Sequence, residues 1–158
     1  MSKIIYPFIH QDGEIAYADE DDKFIKLAKN YALENSQDEH FPTAAVVVKD
    51  GAAIGAGANG SLYPKIHGCE RKRQAVPTGQ RYDLCEGCGP LNHSERRAIT
   101  DALDHGKDTR GAVAYLWGHW WVCEPCWNAL LEAGIRKVYL LQNSHRLFKK
   151  VIDQSLDK

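Results

Sequence analysis

Residues 111–141 read "GAVAYLWGHWWVCEPCWNALLEAGIRKVYLL". The segment opens on one short apolar run, "GAVAYLW", and closes on another, "RKVYLL". Between them, "CEPCWNALLEAG" has helical spacing and stops at Gly134. Strand, helix and strand in that order form a crossover unit, and such a unit sets its two strands parallel. This places the chain in the α/β class.

The rest of the pattern agrees. Upstream, "HSERRAITDALDHG" reads as a helix with Ala98, Ile99, Ala102 and Leu103 on one face. "TAAVVVKDGAAIGAGANG" holds two apolar runs around Asp50-Gly51, a hairpin turn signal, so two antiparallel strands are expected there. Residues 21–35, "DDKFIKLAKNYALEN", place Phe24, Leu27, Ala28, Tyr31 and Ala32 in a helical stripe. Downstream, "SHRLFKKVIDQSL" reads as a closing amphipathic helix. The expected chain is one domain over residues 1–158, with a mixed sheet whose first hairpin is antiparallel and whose later strands are parallel. Residues 59–91 interrupt it, with glycine, proline and charge but no period. So long a loop in a small domain needs an anchor.

Bulk properties narrow the partners. The 158 residues suit a single core, and a formal net charge of -1 leaves no basic footprint for a long nucleic acid. A small-molecule ligand fits this balance better. The opening "MSKIIYPFIHQDGE" has no long apolar run, and no stretch is long enough to span a bilayer, so a cytoplasmic protein is expected. In that compartment five cysteines read as metal ligands or reactive thiols rather than disulfides.

Cys123-Glu-Pro-Cys126 opens the helix of the crossover unit, so both sulfurs share one face and can reach one metal. A redox pair and two buried thiols are the alternatives. With His93 as a third ligand, a tetrahedral zinc would keep one open position, the mark of a catalytic site. Glu95 has two readings. Asn92-x-x-Glu95 is a passable capping box, yet Glu95 also heads the apolar stripe of Ala98 and Ile99. Its carboxylate then points toward the core, where an unpaired charge is costly, and this favours a buried working acid. On an ideal wheel His93 and Glu95 fall on different sides, so convergence requires the first turn to stand end-on to the metal.

His67-x-Cys69 and Cys85-x-x-Cys88 supply four further soft ligands, enough to close a structural zinc site that staples the irregular segment, with Asp83 or a water as alternatives to His67. Cys69 as a lone buried thiol and His67 as a surface residue are the plainer reading. A rival partition joins Cys85-x-x-Cys88 to Cys123-x-x-Cys126 as a single zinc ribbon in a non-catalytic binding module. Against it, the second pair starts a strong helix and Cys69 is left over.

His93-Ser94-Glu95 followed by Cys123-x-x-Cys126, each opening a helix, resembles the zinc-dependent cytidine and deoxycytidylate deaminases. The likeness runs from about residue 21 to residue 142. "CERKRQAVPTGQRYDLC", residues 69–85, is similar to bacterial deoxycytidylate deaminases. The resemblance implies a cytidine deaminase-like three-layer α-β-α fold, a homo-oligomer, and hydrolysis of the 4-amino group of a cytosine nucleotide, deoxycytidylate first. It implies a catalytic zinc on His93, Cys123 and Cys126, with Glu95 as general acid and base. It implies that Asn59 holds the substrate's sugar. Other amino-substituted rings remain as alternatives: cytidine, adenosine in tRNA, guanine or a pterin-like base.

The chain departs from the family in three places. Ser94 stands where alanine is usual, and Val122 stands where a proline precedes the first zinc cysteine. The family's fifth strand is expected to be missing, because the chain closes on a helix.

Arg71, Lys72, Arg73 and Arg81 lie in the loop expected to cover the pocket, either gripping a nucleotide phosphate or as solvated charge. Of these Arg71, with Tyr82, is taken as a substrate contact. Trp117, Trp120 and Trp121 either wall a base pocket or belong to the core, and the core is the safer reading, as a surface position is for His119.

Overall fold

A computed structural model of the protein describes residues 10–38, 40–61, 66–77, 80–85 and 89–148. Its centre is the hairpin read from "VVVKDGAAI". Strand β2, Ala44–Lys49, turns through Asp50 and Gly51 into β3, Ala52–Ala58, and the two pair antiparallel. Both turn residues have positive φ, 50° and 77°, the conformation a two-residue hairpin turn demands. The crossover unit follows the expected course. β4, Val113–Trp117, and β5, Lys137–Leu141, run parallel, joined through helix α4, Glu124–Glu132. β4 also pairs antiparallel with β2.

The sheet has a fifth strand. β1, Glu14–Ala18, lies parallel to β5 at the edge, giving the order β1-β5-β4-β2-β3. This corrects the expectation of a sheet without its fifth member: the position beside β5 is filled from the N-terminal side of the chain. Ile15 packs against the main core, Ala18 against Ile25 and Leu141.

The helices flank the sheet in three layers. Helix α1, Lys23–Asn35, is capped by Asp22, whose carboxylate accepts the N–H groups of Phe24 and Ile25. It buries Ile25, Ala28 and Ala32, while Leu27, expected in the stripe, is exposed. The opposite face carries α4 and helix α3, Ser94–Asp104, whose Ala98 and Ile99 join Val47, Leu116, Trp127 and Leu130 in the main core. Leu103, expected on the buried face of α3, is exposed. Within the segment expected to be irregular are a one-turn helix α2, Glu70–Arg73, and 3-10 turns at Tyr82–Leu84 and Pro90–Asn92. Helix α5, Ser144–Phe148, sets Phe148 edge-on against Trp117; the rest of the expected closing helix lies outside the described residues. Among the described residues no helix is long and apolar enough to cross a membrane.

Two glycines set how closely α3 approaches the sheet. Gly55 and Gly57 of β3 lie directly beneath it, and a Cβ on Gly57 would come within 2.6 Å of the Arg97 Cβ. Side chains of α3 also satisfy the outer edge of β3. Asp101 Oδ2 accepts the Ala56 N–H at 2.9 Å, and Arg97 Nη1 donates to the Ala58 carbonyl at 2.8 Å. These bonds cover an edge that would otherwise offer unpaired backbone groups.

Candidate metal centre and active site

The first turns of α3 and α4 meet beyond the ends of the central strands. His93 is the N-cap of α3 and Cys123 the N-cap of α4, each with extended backbone. His93 therefore stands outside the helical wheel, with φ -80° and ψ 147°. That removes the obstacle of an ideal wheel: the imidazole and the Glu95 carboxylate converge because only Glu95 is helical.

The His93 Nδ1 lies 3.5 Å from the Cys123 Sγ and 3.4 Å from the Cys126 Sγ. Adding a Glu95 carboxylate oxygen gives four ligand atoms all within 4.8 Å of one another. Cys123, Cys126 and Glu95 are buried, and His93 is partly so. The alternative reading of Asn92 and Glu95 as a capping box is not met: the N-cap is His93, with no side-chain cap bond. Asn92 Oδ1 instead accepts from Arg97 Nη2 at 2.8 Å, and the Asn92 carbonyl accepts the Gly60 N–H. Arg97 thus ties the residue before His93 to the end of β3, a role that no periodicity in the sequence signals. Glu95 has another partner, Ser94, whose Oγ donates to Oε1 at 2.7 Å.

The two sulfurs divide one proton unequally. A hydrogen bond from the Cys126 thiol pulls Cys123 down to about 6, with His93 adding to the effect against burial. The same hydrogen bond, then burial and the nearby Glu95 charge, push Cys126 well above the ordinary thiol range. One imidazole nitrogen, one ready thiolate and a second thiol that yields its proton to a cation make a donor set suited to zinc. Glu95 adds a carboxylate oxygen to the same group.

Tyr82 and Arg71 extend this centre into the long segment. The Tyr82 ring meets the His93 ring edge-on with centroids 5.0 Å apart, and the Arg71 guanidinium lies 4.7 Å above the Tyr82 ring. Burial, then the negative charge of Cys123, raise the Tyr82 phenol far above its ordinary range. Arg71 also donates to the carbonyls of Gln80 and Pro77, so it staples the loop that carries Tyr82. Arg73 pairs with Glu70, and Arg81 with Asp83, both near the surface.

Asn59 lies at the end of β3 with its amide engaged. Oδ1 accepts from Ser36 Oγ at 2.5 Å and from the Thr43 N–H at 2.9 Å, and Nδ2 donates to the Phe41 carbonyl. Thr43 in turn reaches the Gly118 carbonyl, so the rim formed by β2, β3 and β4 is cross-tied. Trp120 and Trp121 are buried in the core, as the safer reading had it. His119 is partly buried rather than on the surface: its Nδ1 accepts the N–H groups of Trp120 and Trp121. Val122, in place of proline, is fully buried.

Of the second expected ligand set, Cys69 and Cys85 are buried, His67 is exposed and Cys88 lies outside the described residues. Among the described residues, the group around His93 is the one cluster able to hold a metal.

The profile of the cytidine and deoxycytidylate deaminase zinc-binding region matches residues 18–142. The chain belongs to this family. It is accordingly a hydrolytic deaminase with a zinc-binding region. Its fold is similar to that of the dCMP deaminase from the cyanophage S-TIM5. The two share 20% identity over 84% of this chain and 88% of that one, with a TM-score of 0.50. The same phage protein in complex with dCMP and dUMP gives a TM-score of 0.50 at 19% identity, over the same shares of both chains. Guanine deaminase from Bacillus subtilis gives 0.48 at 22% identity, over 85% of this chain and 75% of that one. A comparison with curated protein sequences finds no match.

Proposed function

We propose that this deaminase hydrolyses the 4-amino group of a cytosine nucleotide, with deoxycytidylate as its preferred substrate. The observation that carries the reading is the convergence of His93, Cys123, Cys126 and Glu95 within 4.8 Å. The "CERKRQAVPTGQRYDLC" segment and the fold shared with a phage dCMP deaminase support the choice of substrate.

His93, Cys123 and Cys126 would hold zinc, with Glu95 left unligated. When bound, the ion supplies Lewis acidity that makes water a nucleophile near neutral pH. Glu95 accepts the proton that the attacking water gives up and delivers it to N3 of the ring as the C4–O bond forms. It then carries the proton of the new C4 hydroxyl to the amino group, which departs as ammonia. Tyr82 borders the base, Arg71 the phosphate, and Asn59 orients the sugar at the rim of the sheet.

A second zinc, on His67, Cys69, Cys85 and Cys88, staples residues 59–91. Burial of Cys69 and Cys85 supports it. Zinc analysis of the purified protein should then give about two ions per chain; one ion per chain, bound by the His93 centre alone, overturns this part.

The test of the whole reading is an assay of deoxycytidylate and cytidine for uracil-containing products, with Glu95→Gln as control. Wild-type inactivity on every free cytosine species ends the substrate assignment, and activity on adenine, guanine or pterin-like rings replaces it. Loss of zinc in Glu95→Gln would show Glu95 to be a ligand rather than a proton carrier.

A further inference from the structure

We propose that Ser94 is a positioning residue for Glu95: it holds one carboxylate oxygen so that the other is the oxygen that carries the proton. The inference rests on the reading of Glu95 as proton carrier. Three observations support it. Ser94 is 1% exposed and Glu95 6%, so the pair is shielded from solvent that would compete for either group. The Ser94 Oγ donates to Oε1 at 2.7 Å, well within hydrogen-bond range. Both residues also sit on a fixed frame, because α3 is seated on the glycines of β3 and Arg97 clips it to Ala58 and Asn92.

A glutamate has three side-chain torsions, and its carboxylate is symmetric. Nothing intrinsic to Glu95 decides which oxygen faces the substrate. A buried hydroxyl that donates to Oε1 breaks that symmetry, since a proton arriving on Oε1 would displace the donor. The incoming proton is directed to Oε2. From there it passes on to the ring nitrogen while Ser94 continues to donate to Oε1. Ser94 itself gains and loses no proton.

The test uses the zinc-loaded full chain. Ser94→Ala should lower kcat on deoxycytidylate by about 10-fold, the scale of one hydrogen bond to a charged group, with KM and zinc content unchanged. Ser94→Cys, which keeps the volume and a weak donor, should recover part of that loss. A kcat equal to wild type in Ser94→Ala overturns the proposal, as does a fall in KM and kcat with no recovery by Ser94→Cys. Where Ser94→Ala fails to load zinc, Ser94→Cys alone decides: its kcat must fall with KM held.

An infrared difference spectrum, wild type minus Ser94→Ala, supplies a readout free of any substrate. It should show one shifted carboxylate band that vanishes when Glu95→Gln is the background. A missing band overturns the pairing. Should deoxycytidylate and every other cytosine species prove inert while the band is present, the substrate reading has failed and the Ser94–Glu95 pairing stands.

Discussion

Tyr82 lies edge-on to His93, its ring centroid 5.0 Å away and its plane turned by 78°. The imidazole is thereby pressed from the long segment while its Nδ1 faces the two sulfurs. Groups that orient a metal-binding histidine typically contribute about 10-fold or more to affinity. Tyr82→Ala should therefore weaken zinc binding by about 10-fold, measured by competition with a chelator, while Tyr82→Phe keeps the ring contact and the affinity. Equal affinity in wild type and Tyr82→Ala would show the contact to be incidental.

Zinc uptake should release protons. The metal-free pair keeps a proton on Cys126, whose pKa is raised by the hydrogen bond to Cys123 and by burial. The ion must displace that proton, because the ligand is the thiolate. Affinity therefore falls as pH is lowered. Below about 6 it falls more steeply, since Cys123 then also binds a proton that zinc must remove. Titration with zinc in a weakly buffered indicator solution should show proton release that grows on the acid side of that value. A release independent of pH through this window contradicts the assignment.

Gly57→Ala should disturb the site from a distance. Its methyl group would press on Arg97 and on the backbone at Ala98, so α3 would have to lift from β3. Overpacking of this kind costs about 1–3 kcal/mol, and here the displaced element carries Glu95. Denaturant unfolding should register the lower stability, and activity should fall further than the stability loss explains. Gly51→Ala is the contrast: nothing lies near the new methyl, so it should lose stability through its positive φ alone and leave activity no lower than that loss explains.

Asn59→Ala separates scaffold from substrate contact. The amide cross-ties Ser36, Phe41 and Thr43, so its removal leaves the partly buried Thr43 N–H without that acceptor and should cost about 1–3 kcal/mol. A role in orienting the sugar adds a rise in KM, measured well below the melting temperature. Lower stability with KM unchanged would assign Asn59 to the scaffold.

How much of this was readable beforehand depends on the range of the interactions. The hairpin at Asp50-Gly51 and the crossover through α4 declare themselves locally, by turn chemistry and by period, and both stand where expected. β1 does not. "EIAYA" is five residues long, sits at an edge and has meaning only beside β5. The exposure of Leu27 and Leu103 has a related cause: a wheel gives the direction of a face, not how far the neighbouring layer extends over it. At the site, residue types and spacing pointed to His93, Glu95, Cys123 and Cys126, but the wheel set His93 apart from Glu95. An N-cap is not helical, and that settles the conflict. Arg97 and Ser94 were legible only as a helix residue and a small residue. Their partners, Ala58 and Asn92 for one and a carboxylate oxygen for the other, are set by the tertiary packing.

The partnership of β1 with β5 also governs the order in which the chain can be completed. As translation proceeds, β1 leaves the ribosome early, and its partner emerges only after nearly all of the domain has been made. Until then the side of β5 that β1 will occupy does not exist, and Ile15 has no finished core to enter. Loop closure over so long a contour is slow. The hairpin and α3 can dock meanwhile, so the half of the site that carries His93 and Glu95 can assemble on the nascent polypeptide before α4 and the last strand join it.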